Sequence, residues 1–311
     1  MFWRLLSQTV FLAVLAGLLG LIFFAIYSGS PAAKNGMTPM EALNASEGLL
    51  TLNEVFTLLA ILGSVWLGAK LLDHQRLSAY GLSMTARWWQ DLRFGLLLGA
   101  GLMGILFLVE WAAGLVKVTG FFYVNGNWPF LVALMFPVVQ AVAAGVGEEL
   151  LVRGYYMTNF AQGLRKGCGA RRSSLAGLFL SSCIFGVFHA MNPHATLLSV
   201  VNITAAGIFL LGFGYLVTGS LALPIGIHIA WNFFQGSVFG FPVSGTSMNN
   251  VSILTIQQQG GRFLTGGPFG PEGGLLGLFL MLLAPVVISL REVARKGTIT
   301  AQTTIATYPP D

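Results

Sequence analysis

The sequence predicts an all-α polytopic membrane protein with about eight transmembrane helices. Of its 311 residues, 55% are hydrophobic and only 9% are charged, whereas soluble domains carry about 25% charged residues. The 40 glycines are typical of closely packed transmembrane helices, because small residues let helix backbones approach each other. The composition therefore predicts an integral membrane protein with little room for a soluble domain. We expect the lipid bilayer as its environment.

Eight apolar runs are long enough to cross a hydrocarbon core of ~30 Å, which needs roughly 20 residues. They lie near residues 9–28, 50–69, 94–116, 128–150, 173–191, 197–217, 221–239 and 274–290. The first run follows Arg4 but is long for the apolar region of a signal peptide, and no clear cleavage site follows it. We therefore interpret it as a retained helix.

The distribution of Lys and Arg predicts an N-in, C-in orientation. With both termini in the cytoplasm, 13 of the 16 Lys and Arg residues fall on the cytoplasmic side, and only Lys34, Lys117 and Arg262 remain outside. Basic residues in short loops favour the cytoplasmic side. The net charge of +5 is explained by this asymmetry, so we expect no nucleic-acid partner. Cys168 and Cys183 are too few for a disulfide framework or a cysteine metal site.

The candidate functional site centres on two adjacent glutamates in the fourth run, Glu148 and Glu149, which are followed by Arg153. Ionisable groups inside a membrane cost several kcal/mol unless they are paired or face a polar cavity. Glu149 and Arg153 are four residues apart on one helix face and can pair. Glu148 points about 100° away, which leaves it as a candidate general base. The competing interpretation is that both glutamates only hold helices together.

Two later helices add polar groups. His189 follows Phe185 by one turn, so that Phe185 can shield it from lipid, and His228 and Asn232 share one face of the seventh run. A carboxylate and a histidine can together bind and deprotonate water, and a His–Asn pair can donate hydrogen bonds to a developing oxyanion. The same His and Asn side chains could instead be metal ligands or make interhelical hydrogen bonds.

Other ionisable residues are assigned outside this cluster. We place Glu54 and Glu110 nearer the outer interface, and we expect His74 and His194 to be solvated. The sequence contains no H-E-x-x-H zinc-protease motif and no G-x-S-G nucleophile motif. A hydrolase built on these residues would therefore use activated water rather than a serine.

Taken in order, the three motifs resemble those of a known membrane family. Glu148-Glu149-x-x-x-Arg153, Phe185-x-x-x-His189 and His228-x-x-x-Asn232 are similar to the motifs of the CPBP family. This family comprises CAAX proteases and bacteriocin-processing enzymes, and is also called the Abi or type II CAAX prenyl endopeptidase family. The stretch from Thr218 to His228 is also similar to bacterial members, so the resemblance implies the cytoplasmic (inner) membrane of a bacterium. The resemblance covers roughly residues 130–240.

The resemblance implies an intramembrane protease with defined residue roles. Glu148 and His189 would position and activate the attacking water, and His228 and Asn232 would form the oxyanion hole. Glu149 and Arg153 would be a supporting structural pair. We assign no metal or other cofactor; if Zn²⁺ is present, Glu148, His189 and His228 would hold it. We expect water to reach the site from the cytoplasm.

The chain then divides into three regions. Residues 1–127 hold the first three helices with polar loops, and residues 128–240 form the catalytic core of helices four to seven. Residues 241–311 hold a glycine-rich loop, the last helix and a disordered tail. We interpret the loop at 240–273, which is rich in Gly, Ser, Asn and Pro, as a mobile spacer rather than a lid.

Three functions compete at this stage. The leading hypothesis is an endopeptidase that cleaves a membrane-associated protein or peptide, with C-terminal CAAX-type processing as one option. The second is a non-enzymatic scaffold or bacteriocin-immunity protein that uses the same polar residues for helix packing. The third is a transporter with a Glu–His proton relay, which lacks the support of an inverted repeat or a pair of broken helices.

Overall fold

The computed structural model describes residues 1–246, 248 and 250–307. The helices, in chain order, are α1 Phe2–Gly29, α2 Pro31–Lys34, α3 Pro39–Ala45, α4 Glu47–Leu67, α5 Ala86–Ala112, α6 Phe130–Ala133, α7 Met135–Glu149, α8 Thr158–Phe188, α9 Leu197–Ala205, α10 Phe213–Thr218, α11 Ala222–Phe233, α12 Arg262–Thr265 and α13 Leu275–Lys296. Four helices continue or join through wider π-helical turns at Gly68–Leu72, Leu150–Met157, Ala206–Gly212 and Phe234–Val238. Single 3-10 turns lie at Leu77–Tyr80, His189–Met191, Gly267–Phe269, Pro271–Gly273 and Thr303–Ala306.

The predicted all-α membrane class is confirmed, with one small addition. Strands β1 Val116–Val124 and β2 Val251–Gln258 pair antiparallel as a two-stranded sheet. Within the described residues, six helical stretches are long and apolar enough to span a membrane. One of them, 130–191, is 62 residues long and contains two of the runs that we expected separately. α11 with its π-helical extension is shorter, so the count of eight spans remains a prediction.

Two helix boundaries differ from those expected. The fourth run becomes helical at Phe130 rather than Trp128, and it continues through the π-helical turns into α8. The helix of the fifth run begins before Ser173. The chain is already helical on both sides of Gly169, which has a φ of 77°. A residue with this positive φ is favoured as glycine, and it lets α8 change direction there.

The helices have two distinct ends. At the end that we call the basic end, Arg4 pairs with Asp73 (Nε–Oδ1 3.2 Å), and the Gln302 N–H donates to the Leu216 carbonyl at 2.8 Å. At the opposite end, which we call the sheet end, β1 and β2 pair. There the Asn125 N–H donates to the carbonyl of Asn250 at 2.8 Å. The loops that follow α1, α5, α8 and α11 all lie at the sheet end.

α11 is held against α5 by backbone-to-backbone packing. A methyl group on Gly95 would overlap the Leu223 carbonyl, and one on Gly99 would lie 2.5 Å from the Ile227 carbonyl. The Gly-x-x-x-Gly spacing on α5 thus removes side chains where α11 crosses it, as in closely packed membrane helices. This contact fixes the position of His228, the next residue after Ile227.

The loop at 240–273 is not the mobile spacer that we expected. It contains β2 and α12, and the Gly245 N–H donates to the Phe269 carbonyl at 2.7 Å. Gly245 has a φ of 76°, and a methyl group there would overlap the Pro193 carbonyl. The loop therefore packs closely against the connection that follows α8, at the sheet end of the helices.

Candidate active site

The paired glutamates lie at the end of α7, immediately before the π-helical turns that carry Arg153. The predicted ion pair is present, with Arg153 Nη1 donating to Glu149 Oε1 at 2.8 Å. Both side chains are fully buried. π-helical turns inside α-helices are frequent at functional sites, and here they bring the guanidinium directly beneath the carboxylate.

Glu149 has a second partner that the helical spacing did not reveal. His228 Nδ1 lies 2.9 Å from the same Glu149 Oε1 atom. Because a carboxylate accepts hydrogen bonds, Nδ1 is the donor and the other ring nitrogen, Nε2, is turned toward Glu148. The distance from His228 Nε2 to Glu148 Oε2 is 3.8 Å. Glu149 therefore orients His228 as well as pairing with Arg153, as carboxylates commonly do for functional histidines.

Phe185 lies inside the helix bundle rather than between His189 and lipid. Its ring is in edge contact with His189 (centroids 4.7 Å apart) and lies 6.3 Å from the His228 ring. The Arg153 guanidinium carbon sits 4.2 Å from the Phe185 ring centroid, a cation–π geometry. The expectation of a lipid shield was wrong, because α8 turns this face toward α7 and α11. Phe185 therefore packs between the buried guanidinium and the His189 ring.

His189 forms the first residue of a short 3-10 turn after α8. Its Nδ1 atom lies 2.8 Å from the Phe185 carbonyl oxygen. A carbonyl oxygen only accepts, so Nδ1 carries the proton and Nε2 is left free to bind water. The helix end thereby determines the tautomer of His189 without using a second side chain.

One cavity brings the predicted residues together. It has a volume of about 110 Å³, enough for a few water molecules. The Glu148 side chain is 36% exposed, and neither its carboxylate nor the Asn232 amide forms a hydrogen bond within the described part of the chain. The residues that line the cavity are Leu50, Glu54, Ala144, Glu148, His189, Asn192, His228, Asn232, Val243, Ser244, Thr246 and Met248.

Comparison with known families assigns this region. Residues 127–234 match the family model described as type II CAAX prenyl endopeptidase Rce1-like. The family suspected from the three motifs is therefore confirmed over this segment, which is about a third of the chain. A match to the Rce1-like family supports an intramembrane endopeptidase of the CAAX type that acts on a membrane-associated peptide. No curated protein and no solved structure matches the chain.

Glu54 lies outside the Rce1-like segment and was wrongly excluded from the cluster. It lines the same cavity as Glu148, because α4 packs along α7 with Leu58 beside Gly147. The sequence signal was present, since Glu54 is a carboxylate in an apolar run. What was missing was the register between α4 and α7. Glu110, by contrast, is buried and is not among the residues that line the cavity, as expected.

The other histidines behave as predicted. His74 and His194 are both exposed, and both have positive φ angles, 52° and 61°, in the connections that follow α4 and α8. Neither lines the cavity that contains Glu148. His194 is therefore a nearby histidine without a place in the site.

A buried glutamate of the glycine-rich loop, Glu272, holds the part of that loop that lines the cavity. We call this part, Val243–Thr246, the roof. Glu272 Oε1 accepts from the Ser244 N–H (2.5 Å) and hydroxyl (2.9 Å), and its Oε2 accepts from Gln235. Ser244 in turn accepts through its carbonyl from Asn192 Nδ2 at 2.9 Å. Burial raises the pKa of Glu272 to about 7 despite these hydrogen bonds. Neither Ser244 nor Glu272 was predicted from the sequence, because both lie in the loop that we interpreted as a spacer.

The arrangement does not assemble the zinc ligands that we considered. Among residues 1–246, 248 and 250–307, no group of three or more His, Cys, Asp or Glu side chains is placed to hold a metal ion. Both histidines direct Nδ1 away from the cavity, to Phe185 and Glu149. Glu148 and His228 approach each other, but His189 does not complete a three-ligand set with them.

Proposed function

We propose that this chain is an intramembrane endopeptidase that hydrolyses a peptide bond with water activated by Glu148 and His189. The observation that carries the proposal is the set of unsatisfied polar groups around one cavity. Glu148, Asn232 and the Nε2 atoms of His189 and His228 form no hydrogen bond within the described part of the chain. Polar groups that only pack helices are normally paired, whereas these four converge unpaired on one cavity, which favours binding of water and substrate.

In the proposed reaction, Glu148 is the group that accepts a proton from water. The Glu148 carboxylate takes a proton from a water molecule as the water oxygen attacks the carbonyl carbon of the substrate. His189 accepts a hydrogen bond from the same water through Nε2 and so orients it. Protonated Glu148 then returns the proton to the leaving nitrogen as the C–N bond breaks. The products are a carboxylate and an amine, and no covalent enzyme intermediate is formed.

His228 and Asn232 are proposed to stabilise the oxyanion. The Asn232 amide can donate directly to the tetrahedral oxygen. His228 can donate from Nε2 when it carries two protons, a form that the buried Glu149 carboxylate on Nδ1 supports electrostatically. Donors directed at developing negative charge are commonly the largest contribution to such catalysis. In this assignment Arg153 offsets the remaining charge of Glu149.

The scaffold hypothesis makes a different structural demand. If these residues only packed helices, Glu148 and Asn232 would be expected to bond to neighbouring helices as Glu149 and Arg153 do. The enzyme is favoured because the fully buried Glu149 is paired while the adjacent Glu148 is left free beside the cavity. A CAAX-type substrate is one option within this proposal, and its sequence is not specified by the cavity.

The test compares membrane proteins from cells that express the wild type or His189→Ala. The proposal expects new peptide termini only with the wild type, and cleavage of the corresponding synthetic peptide by the purified protein. His194→Ala is the matched control, because His194 is nearby but exposed, and it should cleave normally. Equal termini from the wild type and His189→Ala, with both proteins folded, would exclude the proposed mechanism.

A further inference from the structure

The two ends of the helix bundle differ strongly in charge. Twelve of the sixteen Lys and Arg residues lie at the basic end, and one more, Arg153, is buried within the site. The sheet end carries only Lys34, Lys117 and Arg262. The basic-end residues are Arg4, Lys70, Arg76, Arg87, Arg93, Arg165, Lys166, Arg171, Arg172, Arg291, Arg295 and Lys296. Basic residues near the ends of spans are retained in the cytoplasm, so the basic end is the cytoplasmic end.

The cavity lies at the other end. Its walls include Leu50 and Glu54 from the first turns of α4, which begins at the sheet end. Asn192 comes from the connection after α8, and Ser244 and Thr246 come from the loop that packs against it. No residue from the basic-end connections is among the described residues that line the cavity. This placement argues against the expectation that water reaches the site from the cytoplasmic, basic end.

The position of His189 agrees with this placement. α8 rises from Gly169, near the basic end, and His189 follows its last residue. Some 20 residues of helix correspond to ~30 Å, the thickness of a hydrocarbon core. His189 is therefore close to the opposite membrane surface. Glu148 and Asn232 line the same cavity as His189 and the roof residues Ser244 and Thr246.

We infer that the active-site cavity opens on the extracytoplasmic side of the membrane, and that its substrate is an extracytoplasmic segment of a membrane-associated peptide. The orientation rests on charge distribution and cavity position alone. The substrate class rests in addition on the proposed function. The cytoplasmic C-terminal segment of a substrate would have to pass through the helix bundle from the basic end. None of the described residues in the basic-end connections lines this cavity.

The orientation is tested by cysteine labelling, which does not depend on activity. In a background with Cys168→Ser and Cys183→Ser, single cysteines are introduced as Asn127→Cys, Thr246→Cys and Lys166→Cys. Asn127 is exposed at the sheet end, Thr246 lines the cavity, and Lys166 is exposed at the basic end. A membrane-impermeant maleimide is added to right-side-out and to inverted vesicles. Labelling in detergent shows that each thiol is reactive.

The inference expects Asn127→Cys and Thr246→Cys to be labelled in right-side-out vesicles and to lose labelling in inverted ones. Lys166→Cys should show the reverse. If Thr246→Cys does not fold, Met40→Cys on α3, also exposed at the sheet end, replaces it for orientation. The reverse pattern at Asn127 and Lys166 would overturn the orientation. Labelling of Thr246→Cys only from inverted vesicles would overturn the cavity opening.

The substrate class is tested with the new termini from the functional comparison. Termini in extracytoplasmic segments support the inference, and termini confined to cytoplasmic segments overturn it while leaving the peptidase proposal intact. If labelling gives the expected orientation but no termini depend on His189, the peptidase proposal and the substrate class both fail, and the orientation stands.

Discussion

The cavity is built by two regions that contribute different things. The Rce1-like segment, residues 127–234, supplies Glu148, His189, His228 and Asn232, whose hydrogen-bonding atoms face the cavity. The surrounding wall, made by the start of α4 and the loop between α11 and α13, supplies Glu54 and the roof around Ser244. The segment is braced by a buried ion pair, whereas the roof is held by loop hydrogen bonds, three of which converge on Glu272. This contrast suggests that chemistry resides in the segment and access in the wall.

The most direct test of whether the chemistry resides in the Rce1-like segment is Glu148→Gln. Gln keeps the size of the side chain but cannot accept the proton, so the rate of peptide hydrolysis should fall roughly 10³-fold, within the range for loss of a general base. The measurement is the initial rate of cleavage of an identified peptide by purified protein. Glu110→Gln, which changes a buried glutamate away from the cavity, should retain the wild-type rate. A Glu148→Gln protein within a few-fold of wild type would remove Glu148 from the chemistry.

The ion pair allows a stability prediction for the same segment. Arg153→Met leaves the buried Glu149 carboxylate without its guanidinium, and breaking such a pair typically costs about 3–5 kcal/mol. The melting temperature in detergent should drop sharply. Arg172→Met, which changes an exposed arginine on α8, should melt like the wild type. Equal melting of Arg153→Met and the wild type would show that the pair does not brace the segment.

The sequence predicted the segment well because its chemistry follows local rules. Helical spacing was enough to pair Glu149 with Arg153 and to place His228 and Asn232 on one face. Spacing did not predict that Glu149 also binds His228, since that contact depends on how α7 meets α11. Spacing also predicted wrongly that Phe185 faces lipid, because the rotation of α8 about its axis is set by packing.

The wall was predicted poorly for a physical reason. A glycine-rich loop carries little apolar periodicity, so its composition reads as flexible. Its order comes from long-range contacts, such as that of Gly245 with Phe269, and from strand pairing with residues more than a hundred positions earlier. Glu54 was visible as a carboxylate in an apolar run, but its side of the bundle depends on the register of α4 against α7.

The pH dependence of stability tests whether Glu272 holds the roof. The pKa of Glu272 is raised to about 7 by burial, above the ordinary value of about 4.3. Below the ordinary value both folded and unfolded chains are protonated. As pH rises from there to about 7, the unfolded chain ionises while the folded chain holds its proton, so the free energy of unfolding falls. The loss is complete above about pH 7 and amounts to roughly 4 kcal/mol.

The measurement is the melting temperature in detergent between pH 5 and 8. The wild type should lose stability over this interval, and Glu272→Gln should show a flatter profile because its side chain does not ionise. Glu41→Gln is the matched control, since Glu41 is an exposed glutamate at the same end of the molecule, in the capping box of α3. Identical pH profiles for the wild type and Glu272→Gln would show that the roof does not depend on this carboxyl group.

The smallest effect is expected at Glu54, and it decides where the boundary between chemistry and wall lies. Glu54 shares the cavity with Glu148 but comes from α4, outside the Rce1-like segment. Glu54→Gln keeps the size of the side chain and replaces its carboxyl group by an amide. If the wall shapes access alone, cleavage should slow by less than about tenfold, or about 1.4 kcal/mol in the barrier. The same peptide assay as for Glu148→Gln measures this. A loss as large as that of Glu148→Gln would instead make the site a pair of carboxylates, one from each region, because a wall residue cannot cost that much unless it handles the proton or the water.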